Sequence, residues 1–227
     1  PTISVESPVI TGKSTRSVSM NDPLYEKKWH YHESCPGSIR ADKAWEIEQG
    51  KRNVVVAVMD GWIDHTHPDL APNMWVNEME ANGLPGVDDD VNGYVDDIHG
   101  WNFLSTTDYP KEIGWAAEGD KGHGTHVAGT VAAVNHNGIG VGGVAGGSGK
   151  GDGVKIMSCQ VFSGNSSATV ASRAKAYEYA ANNGACILQC SFGLSGGMLT
   201  SDGAFDLSYG VEKVGLDYFF NYRQPYS

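Results

Sequence analysis

The run from Asn53 to Met59, Asn-Val-Val-Val-Ala-Val-Met, is apolar at nearly every position and stops at Asp60-Gly61. A strand with one wet face alternates polar and apolar residues, so an unbroken run of this kind belongs to a strand covered on both faces. Such strands lie inside parallel sheets, and the rest of the chain supplies matching pieces. Val154 to Phe162 and Ala185 to Cys190 are two more buried strand candidates. Ala41 to Gln49 reads as a short helix closed by Gly50, Thr169 to Asn182 as a helix of Ala, Tyr, Lys and Glu, and Val211 to Asn221 as an amphipathic helix. Strands alternating with helices predict an α/β fold: a doubly wound, mostly parallel sheet flanked by helices, with ligands at the carboxyl ends of its strands. Asp60 stands at such an end.

A second stretch asks for that carboxylate. Gly122 to Val131 reads Gly-His-Gly-Thr-His-Val-Ala-Gly-Thr-Val, a glycine turn opening into a helix of small residues. His123 therefore sits at the positive end of the helix, where the imidazolium form is disfavoured. A proton-transferring histidine placed there needs a carboxylate to orient it and offset the field.

Between these stretches, Asn73 to Gly119 is a long excursion of Gly, Asp, Asn and aromatics, and loops of that length in a compact domain usually carry function. Asp88, Asp89, Asp90, Asp96 and Asp97 crowd into ten residues of it. Oxygen ligands at alternate positions, Asp88, Asp90 and Asn92, with Gly93 at the bend and the Tyr94 carbonyl next, follow the pattern of calcium loops, and Asp96 or Asp97 would close the shell. Clustered carboxylates repel, and a hard divalent cation relieves the repulsion. His99 stands where a full EF-hand loop carries glutamate. After the histidine helix, Gly138 to Gly153 holds nine glycines in sixteen residues, too many for regular structure.

Composition closes off other classes. A net charge of −11 argues against nucleic acid as a partner. No stretch approaches the roughly 20 apolar residues of a membrane helix, and Pro1 to Ser19 lacks the apolar core of a signal peptide. Residues 1–22 read as an N-terminal arm or propeptide remnant. Cys35, Cys159, Cys186 and Cys190 lack metal-ligand spacing. They read as free buried thiols, with an interstrand disulfide or an external partner for Cys35 as the alternatives.

Val-Val-Val-Ala-Val-Met-Asp60 with His67-Pro-Asp-Leu70, followed by His123-Gly-Thr-His-Val-Ala-Gly-Thr130, resembles the subtilisin, or subtilase, family of serine proteases from about Asn21 onward. The resemblance implies that residues 23–227 are the N-terminal part of a catalytic domain, with Asp60 the orienting carboxylate and His123 the general acid and base. His126 is then structural, and His65, His67, His99 and His136 are surface or loop residues. Ser191, Phe192 and Gly193 resemble the segment whose backbone pairs with an extended peptide or protein substrate, and Ser163 to Ser167 resembles the facing wall of that cleft. Asp69 matches a position that, with carbonyls of about Val134 to Val141, forms a second calcium site in many subtilisins. Calcium in such sites stabilises the fold. Calcium and proteolysis together imply a secreted or periplasmic protein.

Two departures stand out. Trp62 occupies a position where the family usually has glycine, so the indole is either strained or narrows the cleft. The family's nucleophile, in a Gly-Thr-Ser-Met-Ala-like motif, and its oxyanion asparagine, in Ala-Gly-Asn, occur nowhere in residues 1–227. Ser195 in Gly193-Leu-Ser-Gly-Gly197 fits a Gly-x-Ser-x-Gly elbow only on paper, because it follows the substrate segment in a loop rather than a strand-to-helix turn. The expectation is an incomplete fold whose serine comes from a separate C-terminal fragment of the same protease or from a segment this chain does not carry. The apolar faces of the strands favour an associated fragment. A non-catalytic, calcium-stabilised peptide-binding module derived from a protease is the alternative, and the presence of both Asp60 and His123 favours the enzyme.

Overall fold

A computed structural model describes residues 20–32, 34–104, 122–164 and 166–192. Its centre is a four-stranded sheet in the order β2-β3-β1-β6, formed by β1 (Val55–Asp60), β2 (Gly100–Asn102), β3 (Lys155–Gln160) and β6 (Ile187–Gln189). Every pairing is parallel. Just past β3, β4 (Phe162–Ser163) and β5 (Ser166–Ser167) form a small antiparallel hairpin. Among the described residues the α-helices are α1 (Ala41–Ala44), α2 (Glu78–Ala81), α3 (His123–Ala132) and α4 (Val170–Asn182).

All six residues of β1 are buried, as the apolar run requires. Successive side chains on a strand point to opposite faces, and the core divides accordingly. Val55, Ala57 and Met59 pack with Ala176, Tyr179 and Ala180 of α4. Val56 and Val58 pack with Ala128 and Ala132 of α3. The same alternation puts the Asp60 side chain on the α3 face. Gly124, Ala128 and Ala132, four residues apart, form the buried stripe of α3, and side chains this small let the helix settle close to the sheet.

Elements the sequence marks strongly appear near their expected bounds. Thr169 caps α4, its hydroxyl accepting from Ser172 N at 3.1 Å. The α1 helix ends at Ala44, short of Gln49. Within the excursion after Asn73 lie two short elements with no periodic pattern to announce them, α2 and β2. The last strand also differs from expectation: Ile187 is 40% exposed. Among the described residues β6 pairs only with β1, so one edge and much of its apolar surface stay open. The helix expected over Val211 to Asn221 lies outside the described residues.

Buried polar groups tie the excursion and the glycine-rich segment to the core. Asn73 donates to the carbonyls of Ala132, at the end of α3, and Gly146. Asp97, 1% exposed, accepts from Tyr179 Oη of α4 at 2.6 Å and from the side-chain amides of Asn77 and Asn92. Asp22 is buried and accepts from the backbone of His136 and Asn137, and Met20 packs beside Trp45. The last residues of the expected arm are thus anchored to the body. The four cysteines are free, and only Cys159 is fully buried.

Removing the hydroxyl in Tyr179→Phe leaves the Asp97 carboxylate one donor short in the interior. Chemical denaturation should show a loss of about 1–3 kcal/mol.

Candidate active site

The carboxyl end of β1 and the amino end of α3 meet where His123 Nδ1 lies 2.6 Å from Asp60 Oδ1. The Asp60 side chain is 2% exposed and that of His123 55%, so the bond sits at the floor of an open site. With Nδ1 donating to the carboxylate, the imidazole is held in the tautomer that leaves the Nε2 lone pair outward. Asp60 Oδ1 also accepts from Gly61 N at 2.6 Å. Its other oxygen is buried without a partner among the described residues.

Local chemistry makes this approach possible. Gly122, the N-cap of α3, has φ 73°, a left-handed conformation that suits glycine. A Cβ on Gly124 would lie 2.5 Å from the Gly61 carbonyl oxygen and 2.7 Å from that of Trp62. The helix therefore rests directly on the turn after Asp60. Thr125 Oγ1 completes the junction, accepting from Asp64 N at 2.9 Å and donating to the Trp62 carbonyl at 3.4 Å. Trp62 is partly buried and is not among the non-glycine residues with positive φ, so the backbone takes the indole without strain. Gly124 carries no sequence signal of its own, because its role depends on carbonyls more than sixty residues away.

The other site residues fall in separate places. Ser191 and Phe192 follow β6, and Ser191 Oγ accepts from Gln189 Nε2 at 2.9 Å. Gly193 and Ser195 lie outside the described residues. The β4–β5 hairpin lies beside this segment, and the Phe162 and Phe192 rings meet edge to face at 4.9 Å. His126 is exposed on α3. His65 and His99 stack at 4.9 Å, while His67 Nδ1 accepts from Asp69 N.

In the acidic loop, carboxylate oxygens of Asp88 and Asp90 come within 4.8 Å of one another and of Glu80 from α2, a group that could hold a metal ion. Asp88 and Asp90 also converge on Asn92 N, and the Asn92 side-chain Oδ1 accepts from Tyr94 N. Asp96 accepts from Gly86 N, and its own N donates to Glu80. Asp97 faces the α4 side, where burial pushes its carboxyl up to about 6 against the lowering effect of its three donors. Glu80, 4% exposed, carries no sequence signal, since only folding brings α2 over the loop.

Asp69 is a separate centre, accepting from Asn137 Nδ2 at 2.8 Å and Val141 N at 2.9 Å. Burial raises its pKa, and these two bonds oppose the rise.

Residues 51–213 match the subtilase family. The chain belongs to that family. It is 32% identical to a subtilisin-like protease 1 of Plasmodium vivax over 82% of its own length, and 27% identical over 76% to thermitase of Thermoactinomyces vulgaris. It spans 27% of the Plasmodium protein and 47% of thermitase. A solved protease structure from Pseudoalteromonas arctica is 32% identical over 78% of this chain and 52% of that one, with a TM-score of 0.51. The serine protease of Aeromonas sobria, at 22% identity and a TM-score of 0.56, shares the fold. The parallel sheet described above is thus an incomplete subtilase α/β fold.

Gly124→Ala should force α3 off the turn and cost about 1–3 kcal/mol in denaturation. It should also weaken the downfield proton signal of His123 Nδ1. A Cβ on Gly129, in the same helix, meets nothing within 4 Å, so Gly129→Ala should stabilise by about 0.5–1 kcal/mol.

Proposed function

We propose that this chain is the N-terminal part, residues 23–227, of a serine endopeptidase domain that hydrolyses peptide bonds through an Asp-His-Ser triad. The observation that carries the reading is the 2.6 Å contact of Asp60 with His123 at the sheet's carboxyl end, in a chain of the subtilase family. Asp60 holds the ring. His123 Nε2 takes the proton of the serine hydroxyl as the serine attacks the scissile carbonyl, then returns it to the leaving amine, and water resolves the acyl intermediate by the same route. The serine and the oxyanion donor come from a segment outside residues 1–227, which lack both motifs. The open edge and 40% exposed Ile187 of β6 are where that segment docks. Extended substrate pairs with Ser191, Phe192 and Gly193.

Calcium occupies the acidic loop as a structural ion. Glu80, Asp88 and Asp90 supply hard oxygen ligands, with Asn92, Tyr94, Asp96 and Asp97 around them, and the ion would neutralise the carboxylates that now face one another. Asp69, with the loop it bonds, is the second calcium site. Structural calcium suits a protein that works outside the cell or in the periplasm. Among the described residues no helix is long and apolar enough to cross a membrane.

A fluorophosphonate probe should label a serine-bearing polypeptide that copurifies with this chain and appears in intact-mass analysis. Asp60→Asn should lower peptide hydrolysis on the order of 10⁴-fold, and His123→Ala further still. Peptide binding without labelling would identify a non-catalytic binding module instead. A folded, monodisperse sample of this polypeptide alone would refute the associated fragment.

Calcium at 100 times its dissociation constant should stabilise by about 2.7 kcal/mol, a rise in Tm of roughly 5–10 °C. EGTA should reverse it, and Glu80→Gln should shrink the shift. A Tm indifferent to both calcium and EGTA would remove the metal from the account.

A further inference from the structure

Arg173 lies in the first turn of α4, beside the two segments read as cleft walls. Its guanidinium carbon is 5.1 Å from the ring centroid of Phe162, which leads into the hairpin wall, and 5.4 Å from that of Phe192, in the substrate segment. One terminal nitrogen, Nη2, donates to Ser167 Oγ of β5. Nε is buried and has no acceptor among the described residues. The chain carries 27 acidic against 16 basic residues, yet no carboxylate pairs with Arg173 among the described residues.

That combination is unusual for an arginine. Aromatic faces attract and orient a guanidinium but leave its charge uncompensated, and one hydroxyl uses one of five donors. A partly desolvated cation is ordinarily paired, because burial without a partner is costly. Here the rings and Ser167 fix the plane of the guanidinium between the two segments, while apart from the Ser167 bond the donors of its Nη1–Nη2 edge have no acceptor among the described residues. A planar, prepositioned fork of N–H groups is matched by a carboxylate, which can accept two of them at once.

We propose that Arg173 is a specificity-determining residue, which takes the carboxylate of an aspartate or glutamate side chain in an extended peptide seated along Ser191-Phe192. The inference rests on the peptide-hydrolysis reading above and adds the substrate class. Phe162 and Phe192 act as positioning residues: they hold the guanidinium plane, and the carboxylate binds its free edge.

The test uses the full-length protease and paired peptides that differ only by Glu or Gln at each of the four positions before the scissile bond. At one position kcat/KM should favour Glu by about 10- to 100-fold, and the preference should fall as salt is raised. Arg173→Met keeps an apolar stem against the rings and removes the charge. It should collapse the ratio toward one, with the Glu peptide losing far more than the Gln peptide. Equal losses for both peptides would show that Arg173 only supports the wall, and an undiminished ratio in the variant would assign the selectivity elsewhere; either overturns the proposal. If the variant does not fold, the wild-type ratio still decides, since hydrolysis of both peptides at equal rates at all four positions overturns it while leaving the protease reading intact. Failure to cleave any peptide overturns both.

Discussion

The closeness of α3 to the end of β1 is the constraint on which the site depends. Small side chains at Gly124, Ala128 and Ala132 let the helix lie directly on the sheet, and at Gly124 the backbone meets the Gly61 and Trp62 carbonyls with no room for a methyl group. An Asp60–His123 bond of 2.6 Å follows from that approach. A helix held even one methyl further out would leave a buried carboxylate facing a void. Asp60 needs the contact as much as His123 does, because it is 2% exposed and only its Oδ1 is satisfied among the described residues.

Buried carboxylates also govern the periphery, with a different balance. Asp97 joins the acidic loop to α4 through Tyr179, and Asp69 joins the turn after β1 to the loop following α3. Burial raises the pKa of both, which means that desolvation outweighs the donors each has gathered. Such groups hold loops in place by geometry more than by net free energy. A cation near Asp88, Asp90 and Glu80 would shift that balance by stabilising the ionised forms. Val91 and Asp96, with φ of 58° and 54°, add backbone strain in the same loop.

Much of this was legible in the chain itself. The apolar run before Asp60 marked a strand buried on both faces, and β1 is one. The alternation of apolar runs with helices marked a parallel sheet. The glycine turn before His123 marked a helix start with a histidine on it. What stayed hidden has one cause: α2, β2, Glu80, Gly124 and Arg173 owe their roles to partners far along the chain, and no local period encodes a distant neighbour. Ile187 departs from its sequence pattern for a related reason. Its apolar run reads as interior, but among the described residues only one strand lies beside it.

Sequence alone determined the family and the parallel α/β architecture and marked Asp60 and His123 as the candidate pair, because unbroken apolar runs, helical patterns and long ordered motifs are local properties of the chain. Tertiary structure alone decided that these two side chains touch, that Glu80 joins Asp88 and Asp90, that Trp62 is accommodated without strain, and that Arg173 stands between two phenylalanines without a carboxylate partner among the described residues. Each of these is a distance between residues remote in sequence, set by how closely side chains allow a helix, a loop and a strand to approach.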